Sequence, residues 1–221
     1  MNTKGLFITF EGPEGSGKST QVRRLVAHLQ EVGHEVVCTR EPGGTPTGEL
    51  IRDILQHDKS GESLAPETEV LLFASSRAQL VHHVIIPALD TGIFVISDRF
   101  VDSTTAYQGY GRGFPVDDVL KINDFAIDKA IPDITFLLDI GVEVSMQRLH
   151  KRHQGGAQLD RIEREEHSFH EKVRHGYLEL AKRWPERIYL LDGMRSEDEL
   201  EEEIWGKVSS KIHHHHTTDD F

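Results

Sequence analysis

The stretch Leu6-Phe7-Ile8-Thr9-Phe10-Glu11-Gly12-Pro13-Glu14-Gly15-Ser16-Gly17-Lys18-Ser19-Thr20 reads as a buried strand, then a glycine-rich loop, then a helix start. From Gly12 to Ser19 it matches G-x-x-x-x-G-K-[ST]. Three glycines let the backbone turn its N–H groups inward around an anion. The helix that follows aims its positive dipole end at the same point. In such a loop Lys18 reaches the outer phosphates of a nucleoside triphosphate, and the Ser19 hydroxyl ligates Mg²⁺. The strand before and the helix after are the context that separates a phosphate cradle from a chance match.

The chain has 221 residues, room for one large α/β domain or two small ones. No Pro/Gly/Ser linker divides it, so one domain is expected over residues 1–212, followed by a polar, histidine-containing tail at 213–221. The net charge of −12 argues against a nucleic-acid surface and against attachment to anionic membranes. A phosphorylated substrate then needs a local positive field built from a few aimed arginines. Cys38 is the single cysteine, which rules out an internal disulfide and suits a reducing, cytoplasmic location. Within Val36-Val37-Cys38 it is expected to be a small buried hydrophobe. No apolar run approaches the ~20 residues that cross a bilayer. Met1–Lys4 lead straight into the first strand, without an apolar leader.

Periodicity predicts a helix over about 17–32, with Val22, Leu25, Val26 and Leu29 facing a sheet. A second strand covers 35–39, followed by the turn-rich Glu41-Pro42-Gly43-Gly44-Thr45-Pro46. A helix over 47–56 places Leu50, Ile54 and Leu55 on one side, with Arg52 off that face. A long helix over 67–89 ends near Pro87 and carries Phe73 and Arg77 four residues apart, where a ring and a guanidinium can address one ligand. Strands follow at 93–97, 134–138 and 188–191, with helices at 117–130, 142–151, 167–184 and 196–210. Residues 103–113 form a polar, glycine-rich stretch, and 150–159 a basic, flexible one.

Five strands alternating with helices predict a doubly wound, mostly parallel α/β sheet. Glu11, Arg40, Asp98, Asp139 and Asp192 stand at the strand ends, which in a parallel sheet share one edge, the ligand-binding edge. Asp139 is read as marking where a buried strand surfaces; Arg40 and Asp98-Arg99 stand beside polar turns and are read as functional. No guanine-reading Asn-Lys-x-Asp follows any strand. Arg52, Arg77 and Arg99 lie on or after three elements whose ends can converge, as the forks around a second, phosphate-bearing ligand would. Phosphoryl transfer needs both substrates in line and the moving charge neutralised. A kinase of a nucleoside or of another monophosphate, and a non-catalytic nucleotide-gated module, stay open as alternatives on these grounds.

FEGPEGSGKST, TREPGGTPTGELIRDIL, FASSRAQLVHHVIIPAL, SDRFVDSTTAYQGYGRG and LDRIE resemble the bacterial thymidylate kinases, and the likeness runs from Leu6 to about Trp205. The resemblance implies a three-layer P-loop fold with a five-stranded parallel sheet and a lid at about 150–161. It implies transfer of the γ-phosphate of ATP to dTMP on the route to dTTP, with Mg²⁺, by a homodimer. ATP would be held by Gly12, Pro13, Glu14, Gly15, Ser16, Gly17, Lys18, Ser19 and Thr20, with Arg195 lining the adenine pocket. Glu14 would accept from the 3′-hydroxyl of dTMP, and Arg52 and Arg99 would hold its phosphate. Phe73 would stack on thymine, Arg77 would donate to a thymine carbonyl, and Thr104 and Gln108 would address the base edge. Tyr107 would lie where a ribose 2′-hydroxyl would go. Asp98, with Ser19, would position Mg²⁺, and Pro42 occupies a place that is often a cis-proline.

Two departures from the family pattern bear on the chemistry. Phe100 replaces Tyr or His after Asp98-Arg99 and is read as a packing residue. Gly15 stands where some members carry a P-loop arginine, which moves the expected catalytic arginine to the lid: Arg152, with Arg148 and Arg161 as alternatives.

Overall fold

The computed structural model describes residues 5–57, 62–154 and 160–217. Its centre is a five-stranded sheet, wholly parallel, in the order β2-β3-β1-β4-β5. The strands are β1 (Phe7–Glu11), β2 (Val36–Arg40), β3 (Phe94–Asp98), β4 (Ile134–Asp139) and β5 (Ile188–Asp192). Each one ends on the charged residue expected of it, so all five charges share one edge. Asp139 is paired there through both oxygens, at 2.8 Å each, with Arg174.

Alternation along β1 assigns its two faces. Leu6, Ile8 and Phe10 pack with Leu25 and Leu29 of α1 (Lys18–Glu31) and with Leu200, Ile204 and Val208 of α9 (Glu197–Thr217). Phe7, on the other face, packs under Leu80, Val81, Ile85 and Phe100. Thr9, also on that face, shares a 2.8 Å hydrogen bond with Thr135 of β4. Arg187, itself half-buried, donates to Thr135 at 3.0 Å and binds the buried Asp102 at 2.7 and 2.8 Å, so the seam carries an ion pair.

The long helix departs from its prediction. It runs as α3 (Pro66–Leu80), a π-helical turn (Val81–Ile85) and α4 (Ile86–Asp90). Pro87 has no N–H to donate and its ring crowds the carbonyl four residues back. The ladder widens instead of ending, with Ile86 N–H reaching Val81 O. By length and composition Pro66–Asp90 is apolar enough to cross a bilayer, at 25 residues and mean hydropathy 1.2, which the run-length reading missed. Leu80, Val81, Ile85 and Leu89 are instead buried against the sheet.

The polar, glycine-rich stretch 103–113 is helical as far as Gly111. α5 (Val101–Thr104) passes into a π-helical segment (Thr105–Gly111) that lies on α8 (His167–Arg183). Two glycines permit the approach reciprocally. A Cβ on Gly111 would come within 2.7 Å of Phe169 and 2.9 Å of Val173, and one on Gly176 within 2.7 Å of Tyr110.

Three further expectations are corrected. In α2 (Pro46–Gln56), Leu55 is buried, but Leu50 is 70% and Ile54 49% exposed. Leu55 lies about 100° round the helix from Ile54, and only its side meets the protein. Cys38 is exposed, because β2 is an edge strand. The expected tail is helical as far as Thr217, and 218–221 lie outside the described residues. Of the expected lid, 155–159 also lie outside them; 150–154 end α7 (Val142–Gln154), and 161–164 form a turn.

Gly111→Ala should therefore displace Phe169 and Val173. Overpacking of this kind costs about 1–3 kcal/mol, read as a Tm lowered by several degrees in a thermal melt. An unchanged Tm would mean the α8 contact is looser than described.

Candidate active site

A cavity of about 640 Å³ opens along the charged sheet edge, within the range that takes a small-molecule ligand. Its walls come from the loop after β1, the loop after β2, α2, α3, the segment after β3, and the region after α7.

The loop after β1 builds the donor end. Gly12 sits at φ 132, where a Cβ would come within 2.3 Å of the Leu138 carbonyl, so no other residue fits. Gly17, at φ 99, caps α1 without a side-chain hydrogen bond, which leaves the first N–H groups to a ligand. Lys18 is buried and donates to Gly12 O at 3.0 Å and Pro13 O at 2.8 Å. Burial and the Arg99 charge pull Lys18 down to about 8, against the opposing pull of Glu14, Asp98 and Glu11. Ser19 Oγ donates to Asp98 Oδ2 at 2.6 Å. This pair of hard oxygen donors beside the phosphate loop fits Mg²⁺.

Arg99 builds the facing end. It follows β3 at φ 74, a strained conformation for a residue with a side chain, held by Arg99 N donating to Phe10 O at 2.9 Å. Its guanidinium is ion-paired with Glu14 and donates to Ser103 Oγ at 3.1 Å, Tyr177 Oη at 3.0 Å and Tyr107 Oη at 3.3 Å. It also stacks over the Tyr107 ring, 5.2 Å from its centre. Burial works to raise the Glu14 carboxyl, but Arg99 and Lys18 outweigh it and hold Glu14 down to about 2. Below Arg99 lies Glu11, accepting from Phe100 N at 2.7 Å, Ser103 Oγ at 2.6 Å and Tyr177 Oη at 2.9 Å. Burial first, and Asp102 second, push Glu11 up to about 7.

The expected residues mostly converge. Glu14, Gly15, Gly17, Lys18, Ser19, Thr20, Arg52, Phe73, Asp98, Arg99, Thr104, Tyr107, Gln108 and Arg152 all line the cavity. Gly12, Pro13 and Ser16 belong to the same loop but are not among the residues that line the cavity. Arg52 donates to Pro42 O at 2.8 Å, and Glu41-Pro42 is a cis peptide, as the family resemblance implied. Of the three arginines considered for the catalytic role, Arg152 lines the cavity, paired with Glu163. Arg148 donates to Gly15 O at 2.7 Å from outside the loop, and Arg161 is ion-paired with Glu69.

Arg77 and Arg195 do not line the cavity. Arg77 is 1% exposed and binds Glu41, Asn123 Oδ1 (2.7 Å) and Thr104 Oγ1 (2.8 Å), so Thr104 stands between it and the open space. Arg195 turns to Glu203 of α9. Sequence reading missed Glu41, Glu69 and the hydroxyl of Tyr177. Tyr177 has in the sequence only the signal of an apolar stripe along the 167–184 helix, with Phe169, Val173, Leu180 and Trp184. Glu69 had a signal, because it lies four residues before Phe73 on the same helix face.

The family model described as thymidylate kinase matches residues 10–204. The chain belongs to the thymidylate kinase family. Among its relatives, the Deinococcus radiodurans thymidylate kinase is 46% identical over 211 residues, covering 96% of this chain and 100% of that one. The Thermoanaerobacter sp. (strain X514) thymidylate kinase is 47% identical over 192 residues, covering 87% and 91%. The crystal structure of thymidylate kinase from Ehrlichia chaffeensis superposes with a TM-score of 0.74 at 33% identity, covering 93% of this chain and 99% of that one. The thymidylate kinase likeness thus spans both ends of the cavity.

Glu14 makes the site pH-sensitive. Its folded value of about 2 lies below the ordinary 4.5, so its ionisation stabilises the fold above pH 4.5 and fades as pH falls towards 2. Between pH 5 and pH 3 the wild type should lose about 2 kcal/mol more than Glu14→Gln. Urea unfolding at both pH values measures it, and equal losses would contradict the pairing.

Proposed function

We infer that this chain transfers the γ-phosphoryl group of ATP to the phosphate of dTMP, releasing ADP and dTDP. The observation that carries the reading is the arrangement of one cavity in a thymidylate kinase family member: an anion-cradling loop at one end, and Arg99, Arg52 and an aromatic wall at the other. A phosphate oxygen of the acceptor is the nucleophile and is already deprotonated, so the site needs no general base. A bond forms from that oxygen to the γ-phosphorus as the bond to the β-bridging oxygen breaks, and ADP leaves with the electron pair.

The chain's own residues then position and neutralise. Glu14 is the anion on Arg99 in the structure. The acceptor phosphate takes that place, which releases Glu14 to accept from the 3′-hydroxyl. Arg52 grips the same phosphate from α2. Phe73 offers its face to thymine, Thr104 and Gln108 its edge partners, and Tyr107 fills the space of a 2′-hydroxyl. Lys18 leaves the Gly12 and Pro13 carbonyls for the β- and γ-phosphates, and Arg152 meets the charge of the moving group. Mg²⁺, held through Ser19 and Asp98, supplies further neutralisation of the triphosphate when bound.

A coupled ADP-release assay across deoxynucleoside monophosphates tests the reading: dTMP should be the preferred acceptor. Arg99→Ala should lower kcat/KM for dTMP by about a hundredfold or more, the scale of losing a charge-assisted fork on the transition state. Wild-type turnover in that variant would sink the assignment.

A homodimer is part of the proposal. Exposed apolar side chains on adjacent helices support it: Leu50 and Ile54 on α2, Leu71 on α3, and Phe125, 91% exposed, on α6 (Val116–Ile127). Sedimentation at micromolar concentration should give twice the chain mass, and Phe125→Asp should shift it towards the monomer; a monomeric wild type removes the claim. A cytoplasmic location is proposed with it, from a lone cysteine in no disulfide.

A further inference from the structure

Glu69, Phe73 and Arg77 succeed one another at four-residue spacing along α3. The middle one is a cavity wall, and the outer two are buried charges that touch two further cavity residues. Glu69 is 1% exposed and accepts from Gln108 Nε2 at 2.7 Å. Arg112 binds both oxygens of Glu69 at 3.1 Å each, and Arg161 is ion-paired with it. Two guanidinium groups outweigh the burial and keep the carboxyl ionised, below its ordinary range.

An ionised carboxylate offers only lone pairs. Gln108 must therefore turn its NH₂ towards Glu69, and its carbonyl Oε1, to which no described residue donates, is left for the cavity. The mirror case holds at Arg77. A guanidinium only donates, so Thr104 Oγ1 must accept from Arg77, which leaves the Thr104 O–H hydrogen free to donate. Thr104 and Gln108 both line the cavity, four residues apart on one helical segment.

We propose that Glu69 is a positioning residue for base selection: by locking the amide of Gln108, it gives the cavity wall an acceptor beside the Thr104 donor, a polarity that takes a 4-keto pyrimidine and refuses a 4-amino one. A 4-keto base presents N3–H and O4, which match that acceptor and donor. A 4-amino base presents a bare N3 and an N–H₂, so acceptor meets acceptor and donor meets donor. Buried polar groups left unpaired are what make such a site discriminate strongly. Arg161 extends the same carboxylate to the residues beyond 155–159, and its Nε donates to Leu55 O at 3.2 Å.

This inference rests on the base lying against Phe73. The test compares kcat/KM for dTMP with that for 5-methyl-dCMP, two acceptors that differ only in the 4-substituent and the N3 hydrogen that goes with it. In Glu69→Gln the new amide can donate as well as accept, so Gln108 is free to flip. The preference for dTMP should narrow about tenfold or more. A merely structural role would lower both values together and leave the ratio where it was, which would overturn the proposal. The double variant E69Q/Q108E keeps the net charge and puts an acceptor-only group back at position 108, held by the amide introduced at position 69. It should recover the wild-type ratio, and it carries the test alone if Glu69→Gln does not give a cooperative melt; a lost ratio there also overturns the proposal. Gln108→Leu separates the two levels: a wild-type ratio in that variant would refute the placement of the base against Gln108 and the role of Glu69 with it, whereas a collapsed ratio there beside an unchanged one in Glu69→Gln would overturn the role of Glu69 alone.

Discussion

Arg99 is a cation enclosed by protein at the end of the central strand pair, and the site is arranged around keeping that charge partnered. Its partners arrive from four directions: Glu14 from the phosphate loop, Ser103 from α5, Tyr107 from the π-helical segment, and Tyr177 from α8. Taking a guanidinium out of water is costly, and removing one partner of a buried pair costs more than the pair itself contributes. The four elements are therefore held in one register. The strain of Arg99 at φ 74 is tolerated because the surrounding hydrogen bonds over-determine it. The same cation faces the mouth of the phosphate loop, so the charge that these partners hold in place is also the one an acceptor phosphate would exploit.

The rest of the edge follows the same logic with different signs. Glu11 is buried below Arg99 and satisfied by backbone and hydroxyl donors. Glu41 and Arg77 form a buried pair behind Thr104, and Glu69 is buried between two arginines behind Gln108. At Thr104 and Gln108 a charge that never meets the cavity dictates the hydrogen-bond polarity of a neutral side chain that does. A neutral wall with fixed polarity can read a base edge, whereas a charge exposed to the cavity would attract any counter-ion.

Much of this was legible in the chain. The glycine-rich loop and the strand ends are local patterns, and local patterns survive folding when they agree with the tertiary structure. The misreadings have a common cause. Leu50 and Ile54 look like core because helical periodicity cannot tell a face that meets the protein from one that meets solvent or a partner. Cys38 looks buried because nothing in its run says β2 is an edge strand. Residues 103–113 read only as polar and glycine-rich, because nothing local says that Gly111 serves to bring two helical segments together. Pro87 looks like a stop because a π-turn is invisible to a periodic count.

By itself the sequence determined the phosphate loop, the parallel α/β sheet with its charged edge, and which side chains carry charge or an aromatic face, since these depend on residue type and on contacts within a few positions. Only the tertiary structure decided that Arg77 stands behind Thr104, that Arg195 turns away to Glu203, that Arg152 and not Arg161 faces the cavity, and that Glu69 commands Gln108. These are pairings across 27, 8, 11, 92 and 39 positions of chain. The physical reason is that a buried charge takes whichever partner packing delivers, and packing is a property of the whole molecule rather than of any stretch of it.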